Sequence, residues 1–408
     1  MEAGKGQQTN RRGRRKRAAP VTPEERDSYG LAAGLPITPA QAGIETRGDA
    51  LLDARFRGHD RQWDRLATRW GEEPMANPVV VEVTRGGRIE SAHRGAGAVV
   101  DADGRVVLAF GDAERPVYPR SAVKALQALA LVESGAADRL GLSDQEIALS
   151  CASHSGSEEH VAIARAMLAK AGYDEDVLEC GAHWPLGEDE ARALARSRRT
   201  PTALHNNCSG KHAGFVCLSC DMGVAPKGYV APDHAAQREV TAAIEGMTGA
   251  RLSEDMRGVD GCSIPTYAVP LVALARGFAR LGTGQGLSPI RRNAVARIRA
   301  AVAAHPLTVA GRGRFDTEVM TLLGARALTK SGAEGVFCAA LPEAGLGLAV
   351  KADDGAGRAA QVMMAALIRR FGGFDDSTTA RLARFVSPRL TNWNGVEVGL
   401  LRPAGPLA

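Results

Sequence analysis

Ser121 and Lys124 stand three residues apart at the head of an apolar run that ends at Gly135. Side chains at i and i+3 share one face of a helix. A helix beginning at Ser121 therefore sets a hydroxyl beside an amine. A serine hydroxyl is a useful nucleophile only with a base in hydrogen-bond reach. A lysine can be that base once burial or a nearby cation has lowered its pKa from ~10.4. Composition sharpens the point. The chain holds 51 lysines and arginines in 408 residues, and only eight of them are lysine. Where a solvated charge suffices this chain writes arginine, which cannot be deprotonated. Lysine at 124 reads as an amine kept for its titration. The plain alternative is an N-cap serine followed by a surface lysine.

Three further stretches supply partners. Residues 150–157, Ser-Cys-Ala-Ser-His-Ser-Gly-Ser, bring Ser153 into a small polar loop of the kind that enters pockets, or equally a turn that caps the next helix. Residues 328–337, Leu-Thr-Lys-Ser-Gly-Ala-Glu-Gly-Val-Phe, place Lys330 and a hydroxyl before a buried strand. This is similar to the Lys-Thr-Gly element that accompanies Ser-x-x-Lys in penicillin-recognising enzymes. Residues 204–215 hold Cys208 and Lys211 beside His205 and His212, and 259–265 hold Asp260 and Cys262. Thiolate and imidazole bind zinc well, whereas a lysine amine must first lose its proton. No second C-x-x-C completes a zinc finger. Cys217 and Cys220 sit in an apolar run and read as packing residues.

These side chains need elements to hold them. Strand patterns cover 79–83, 88–94, 98–100 and 105–110, with turns at Gly86-Gly87 and 101–104, which predicts an antiparallel meander. Helix signals follow at 121–134, 143–149, 158–170, 234–248 and 289–304. A strand pair at 335–341 and 345–351, a helix at 356–371 and a last strand at 396–401 close the chain. Strands at both ends with helices between them predict an α/β (α+β) fold, with one mainly antiparallel sheet built from both termini around an inserted helical region.

Residues 1–74 lack this periodicity. The stretch 38–61 is similar to a translated intergenic repeat, and Met75 opens a clear strand start. The expectation is a functional chain from Met75 to 408, with 1–74 a disordered extension from a mis-called start. Arg-Arg-Gly-Arg-Arg-Lys-Arg at 11–17 is the one basic cluster in a chain of net charge +5, and it reads as a solvated tail rather than a nucleic-acid site. No run of eighteen apolar residues predicts a membrane span. Seven irregularly spaced cysteines, with no export signal in view, predict reduced thiols and a cytoplasmic protein.

Taken in order, 118–124, 153–156, 205–214, 260–262 and 330–335 resemble the Rhizobium etli-type L-asparaginases, the asparaginase II family, over essentially all of the chain after Met75. That resemblance implies a fold like serine β-lactamases and penicillin-binding proteins. It implies hydrolysis of L-asparagine to L-aspartate and ammonia by two serine–lysine pairs, Ser121 with Lys124 and Ser153 with Lys330. It implies a zinc site of Cys208, Lys211 and Cys262, with Arg120, His212 and Asp260 as substrate-binding neighbours, and a homodimer with no nucleic-acid or membrane partner. The competing readings are a related serine hydrolase, glutaminase or penicillin-recognising enzyme, and a zinc-binding regulatory protein with a basic tail.

Overall fold

The computed structural model describes residues 76–408. The expected start at Met75 and the extension before it lie outside the described residues. Strand Val79–Arg85 turns back through Gly86 and Gly87, whose φ values of 54° and 80° suit a tight hairpin that other residues enter only under strain. The returning strand, Arg88–Asp101, is one 14-residue element rather than the two shorter strands its pattern suggests. Its first half pairs with Val79–Arg85 and its second half with Leu346–Ala352. It thus joins the two ends of the chain into one sheet.

That sheet has eight strands, all antiparallel to their neighbours. In spatial order they run Arg389–Thr391, Glu397–Pro403, Val79–Arg85, Arg88–Asp101, Leu346–Ala352, Val336–Leu341, Leu328–Ser331, with Val106–Phe110 also on Arg88–Asp101. Residues 111–327 form the inserted, mainly helical region. The expected sheet built from both termini is what the structure has.

Helices cover both faces. Val336–Leu341 is buried throughout, and its alternation explains why: Val336, Cys338 and Ala340 enter one apolar core, Phe337, Ala339 and Leu341 the other. Helices Gly357–Phe371 and Asp376–Val386 close the second core. The inserted helices build the first. Their ends follow local chemistry. Ser143 with Glu146 and Ser157 with His160 form reciprocal caps, and Gly249 and Gly284 stop their helices in the left-handed region. At the centre lies Ser209–Asp221, buried from Ser209 to Ser219 and so apolar or paired on every side.

The helix expected at 121–134 is broken into a 3-10 turn Arg120–Val123 and two short helices, Lys124–Gln127 and Leu129–Glu133. Arg120 enters the turn with φ 51°, so the segment starts tightly wound rather than as regular α-helix.

Helix Leu271–Thr283 packs directly on the sheet at Gly347, where a Cβ would lie 1.9 Å from the Ala275 carbonyl oxygen and 2.3 Å from the Ala279 nitrogen. Backbone on both sides cannot yield as a flexible side chain would. Gly347→Ala is expected to cost about 3 kcal/mol, the upper end of ordinary overpacking. Denaturant unfolding reads this directly, and a loss below about 1 kcal/mol would mean that helix and sheet are not in backbone contact there.

Candidate active site

Ser153 sits in the loop after helix Asp144–Ser150, 5% exposed, with its backbone N–H on the Val309 carbonyl at 2.9 Å. Lys124 enters from the short helix Lys124–Gln127, and Lys330 from strand Leu328–Ser331 at the edge of the sheet. Both lysines are essentially unexposed. Lys124 Nζ donates to Ser153 Oγ at 3.0 Å, to the Ala152 carbonyl at 2.5 Å and to the Asn207 carbonyl at 3.4 Å. Lys330 Nζ donates to the same Ser153 Oγ at 2.9 Å and to the Ser331 carbonyl at 2.6 Å. One hydroxyl therefore lies between two buried amines.

Burial lowers the pKa of both lysines, since a desolvated ammonium is unfavourable. Lys330 is brought down to about 7; the Asp316 carboxylate opposes that fall and Lys124 adds to it. At neutral pH a substantial fraction of Lys330 is a free base.

Ser121 is half-buried on the 3-10 turn, and its hydroxyl makes no hydrogen bond to another described residue. The structure thus directs the Lys124 amine at Ser153 rather than Ser121. Arg120, just before it, is ion-paired through Nε with Asp260 Oδ1. Asp260 also accepts the Gly261 N–H at 2.8 Å, and burial, which pushes its pKa up, is outweighed by Lys211 and Arg120, so it stays ionised. The two charges thus answer each other first.

Cys208, Lys211 and Cys262 come together from separate segments. Cys208 stands just before the first residue of the central helix, Lys211 lies in its first turn, and Cys262 follows Asp260 in the loop before Pro265–Tyr267. All three are buried. Lys211 Nζ donates to Cys262 Sγ at 3.0 Å, and Cys262 Sγ donates to Asp260 Oδ2 at 3.5 Å. The adjacent Cys262, helped by Lys124 and Lys211, outweighs burial and holds the Cys208 pKa well below the ordinary thiol range. Burial presses on the Lys211 ammonium, but the two sulfurs and Asp260 keep it charged. Among the described residues no group of three His, Cys, Asp or Glu side chains could hold a metal, so a metal here requires the lysine nitrogen as a donor.

His212, the next residue on the helix, is fully buried. Tyr229 Oη accepts the Glu179 N–H at 2.8 Å and lies 2.7 Å from His212 Nδ1. The phenol proton must then point at Nδ1, which leaves Nε2 carrying hydrogen. That Nε2 has no partner among the described residues. A buried, unanswered donor is costly, and such sites are met by water or ligand.

Sequence reading missed several supports. The carbonyls of Ala152 and Asn207 that hold Lys124 are backbone atoms and leave no residue-type signal. His154 braces the serine loop: its Nε2 lies 2.9 Å from Ser209 Oγ, whose proton goes to the Leu204 carbonyl, so the imidazole donates. The single histidine set among serines at 153–157 was the visible clue. An open cavity of 660 Å³ lies alongside, lined by Tyr118, Arg120, Val259, Glu334 and Lys351 among others. Of the groups above only Arg120 borders it, so the chemistry is read from the hydroxyl and amines and not from cavity size.

A serine hydroxyl shared by buried amines is the equipment of a hydrolase that works through an acyl intermediate. The chain belongs to the L-asparaginase II family, whose model matches residues 81–403. No match is found among curated proteins. Solved structures with a similar chain path include a β-lactamase from Mycobacterium bovis, at 16% identity and TM-score 0.38 over 68% of this chain and 95% of that one. Simvastatin synthase from Aspergillus terreus matches at 12% and 0.35 over 72% and 90%. A β-lactamase/D-alanine carboxypeptidase from Pseudomonas syringae matches at 13% and 0.31 over 83% and 98%. Among the described residues no helix is long and apolar enough to cross a membrane.

The Lys330 amine should lose its proton near pH 7. NMR of protein carrying ¹⁵N-lysine would report one Nζ signal titrating there and absent from Lys330→Met. A titration above about 9 would contradict the buried, two-amine arrangement.

Proposed function

We propose that this protein is an L-asparagine amidohydrolase, releasing L-aspartate and ammonia through an aspartyl ester on a serine. The observation that carries it is the Ser153 hydroxyl bonded to both Lys124 and Lys330 within a chain of the L-asparaginase II family.

Ser121 is the nucleophile in this reading. It is the accessible hydroxyl of the pair, whereas Ser153 is nearly enclosed and bonded on two sides. Ser121 Oγ attacks the side-chain amide carbon, and neutral Lys124 takes its proton as the substrate tightens the geometry. Backbone N–H groups of the Ser121 turn, its own among them, meet the developing oxyanion. The C–N bond breaks as the leaving nitrogen takes a proton through Ser153 Oγ, fed by Lys124 or Lys330. Water then attacks the ester carbon, gives a proton back through the same chain and restores Ser121. Asp260 and Arg120 lie where the substrate's ammonium and carboxylate can replace part of their mutual pairing, and His212 Nε2–H offers a free donor.

The opposite assignment, Ser153 as nucleophile, is favoured by the one fact that both amines address it. Trapping decides between them. Acid quench during turnover of asparagine followed by peptide mass spectrometry should find aspartyl on Ser121. Ester on Ser153 would exchange the roles. Ser121→Ala should lower kcat by at least about a thousandfold with the fold intact. The kcat/KM for asparagine should rise with pH through about 7, because the amine pair must be one proton short to take the Ser121 proton: Lys330 sheds it there and Ser153 Oγ relays the vacancy to Lys124. Absence of ammonia from asparagine, with release from glutamine, would move the substrate by one methylene, a difference worth only ~1–3 kcal/mol in a pocket.

Cys208, Lys211 and Cys262 fit a zinc ion by donor chemistry: two soft sulfurs, one already disposed to be thiolate, and an amine beside them. When bound, zinc would supply a fixed positive charge that orients the substrate. Metal analysis of protein purified without chelator should find about one zinc per chain, lost in Cys208→Ser with KM raised more than kcat is lowered. A metal-free native protein of full activity would remove zinc from the reading. The protein acts in the cytoplasm as a homodimer in this proposal, in keeping with seven free cysteines.

A further inference from the structure

Asp316 takes no part in the chemistry above. It lies in the first turn of helix Phe315–Leu323, 2% exposed, behind the strand that carries Lys330. Its Oδ1 accepts from Thr329 Oγ1 at 3.0 Å and from the Ser331 N–H at 3.2 Å, and its Oδ2 accepts from Ser331 Oγ at 2.6 Å. Side chains alternate along a strand, so Thr329 and Ser331 face away from Lys330. One buried carboxylate therefore grips both neighbours of the Lys330 amine from the far side. The strand needs such a grip. Leu328–Ser331 has only four residues and, among the described residues, is the outermost strand at its end of the sheet and pairs with Val336–Leu341 alone. With one hydrogen-bonded neighbour, the twist of an edge strand is set by what holds it from behind, and a change of twist moves the end of a lysine.

The geometry points to Asp316 as the positioning residue for Lys330: it fixes the rotation of the edge strand, and so the approach of the Lys330 amine to the Ser153 hydroxyl. This rests on the proposed role of Lys330 in proton transfer. The carboxylate acts on the amine through its charge as well. The charged and titratable groups around Lys330 are Lys124, Cys208 and Cys151, Cys338 paired with it on the neighbouring strand, and Arg314 and Asp316 at the start of the helix behind. After burial, Asp316 is the largest of these influences, and it favours the charged amine.

Two kinds of variant separate grip from charge. Asp316→Asn removes the charge and weakens the grip by turning the acceptor of the Ser331 hydroxyl into a donor. Its kcat/KM at the alkaline plateau should fall about 10–100-fold, the cost of a reacting group displaced by about an ångström. Its acid limb should move down by about one pH unit, because the ammonium has lost its anionic neighbour. The Thr329→Val, Ser331→Ala double variant keeps the carboxylate but loosens the grip. Its plateau should fall while the limb stays near 7. If Asp316→Asn folds and changes only the melting temperature, leaving plateau and limb as in the parent, Asp316 is merely structural and the inference is overturned. If Asp316→Asn does not fold, the double variant decides: a lowered plateau supports the grip, an unchanged one overturns it. Should the parent protein hydrolyse neither asparagine nor glutamine, the proposed function fails instead. The ¹⁵N titration of Lys330 then still tests Asp316 by itself, with a lower midpoint in Asp316→Asn supporting it and an unmoved midpoint overturning it.

Discussion

One hydroxyl proton between two buried amines is the constraint around which this site is built. Ser153 Oγ has a single proton to give and two lone pairs to offer. It can donate to one amine only if that amine has shed a proton, and it then accepts from the other. Two ammonium groups at 3.0 Å and 2.9 Å from one oxygen would repel each other in a cavity with little water to screen them. The arrangement is comfortable only one proton short of full. A proton-short chain of amine, hydroxyl and amine can take a proton at one end and give one at the other. This is what cleaving an amide requires.

Holding that chain takes three segments with no sequence proximity, and the fold supplies each differently. Lys124 is carried by a helix sunk in the larger core, so its stem is fixed by packing on all sides. Ser153 is fixed by backbone bonds, its own N–H to Val309 and that of His154 to Asn207. Lys330 comes from the edge strand of the sheet, which hydrogen bonds to Asp316 anchor from behind. The sheet can present that edge to the helical insert because Arg88–Asp101 is long enough to bind the first strands of the chain to the last.

What was legible in the sequence was the set of reacting side chains, and what was hidden was their pairing. Lysine stands out in a chain rich in arginine, and 124, 211 and 330 all lie in this site. The spacing of Ser121 and Lys124 suggested contact, yet the amine turns to Ser153, because contact depends on where a buried side chain finds acceptors and not on helix spacing alone. The first meander, the strand pair near 335–351 and six helices were legible through periodicity and glycine turns. Glu188–Arg196, Leu271–Thr283, Phe315–Leu323, Asp376–Val386 and the short strand Leu328–Ser331 were not recognised, although Gly284 ends Leu271–Thr283 in the left-handed region. Nothing in the residues near Asp316 announced a carboxylate aimed at a strand, since the contact is made only in the folded chain. Asp260 and Arg120 were singled out as substrate ligands, and their pairing with each other follows from the fold that brings the two loops together.

Charge ties the thiol–lysine cluster to the amine pair. Lys124, Lys211, Lys330 and Arg120 are four cationic groups; Asp260, Asp316 and the Cys208 thiolate are three anionic ones. Near neutrality is reached when one amine gives up its proton, and Lys330, at about 7, is the one that does so near physiological pH. The proposed zinc leaves that balance alone. Its two positive charges would enter as Lys211 and Cys262 each release a proton, so the total is the same before and after. A free amine at Ser153 is thus favoured by the surrounding charges in either state.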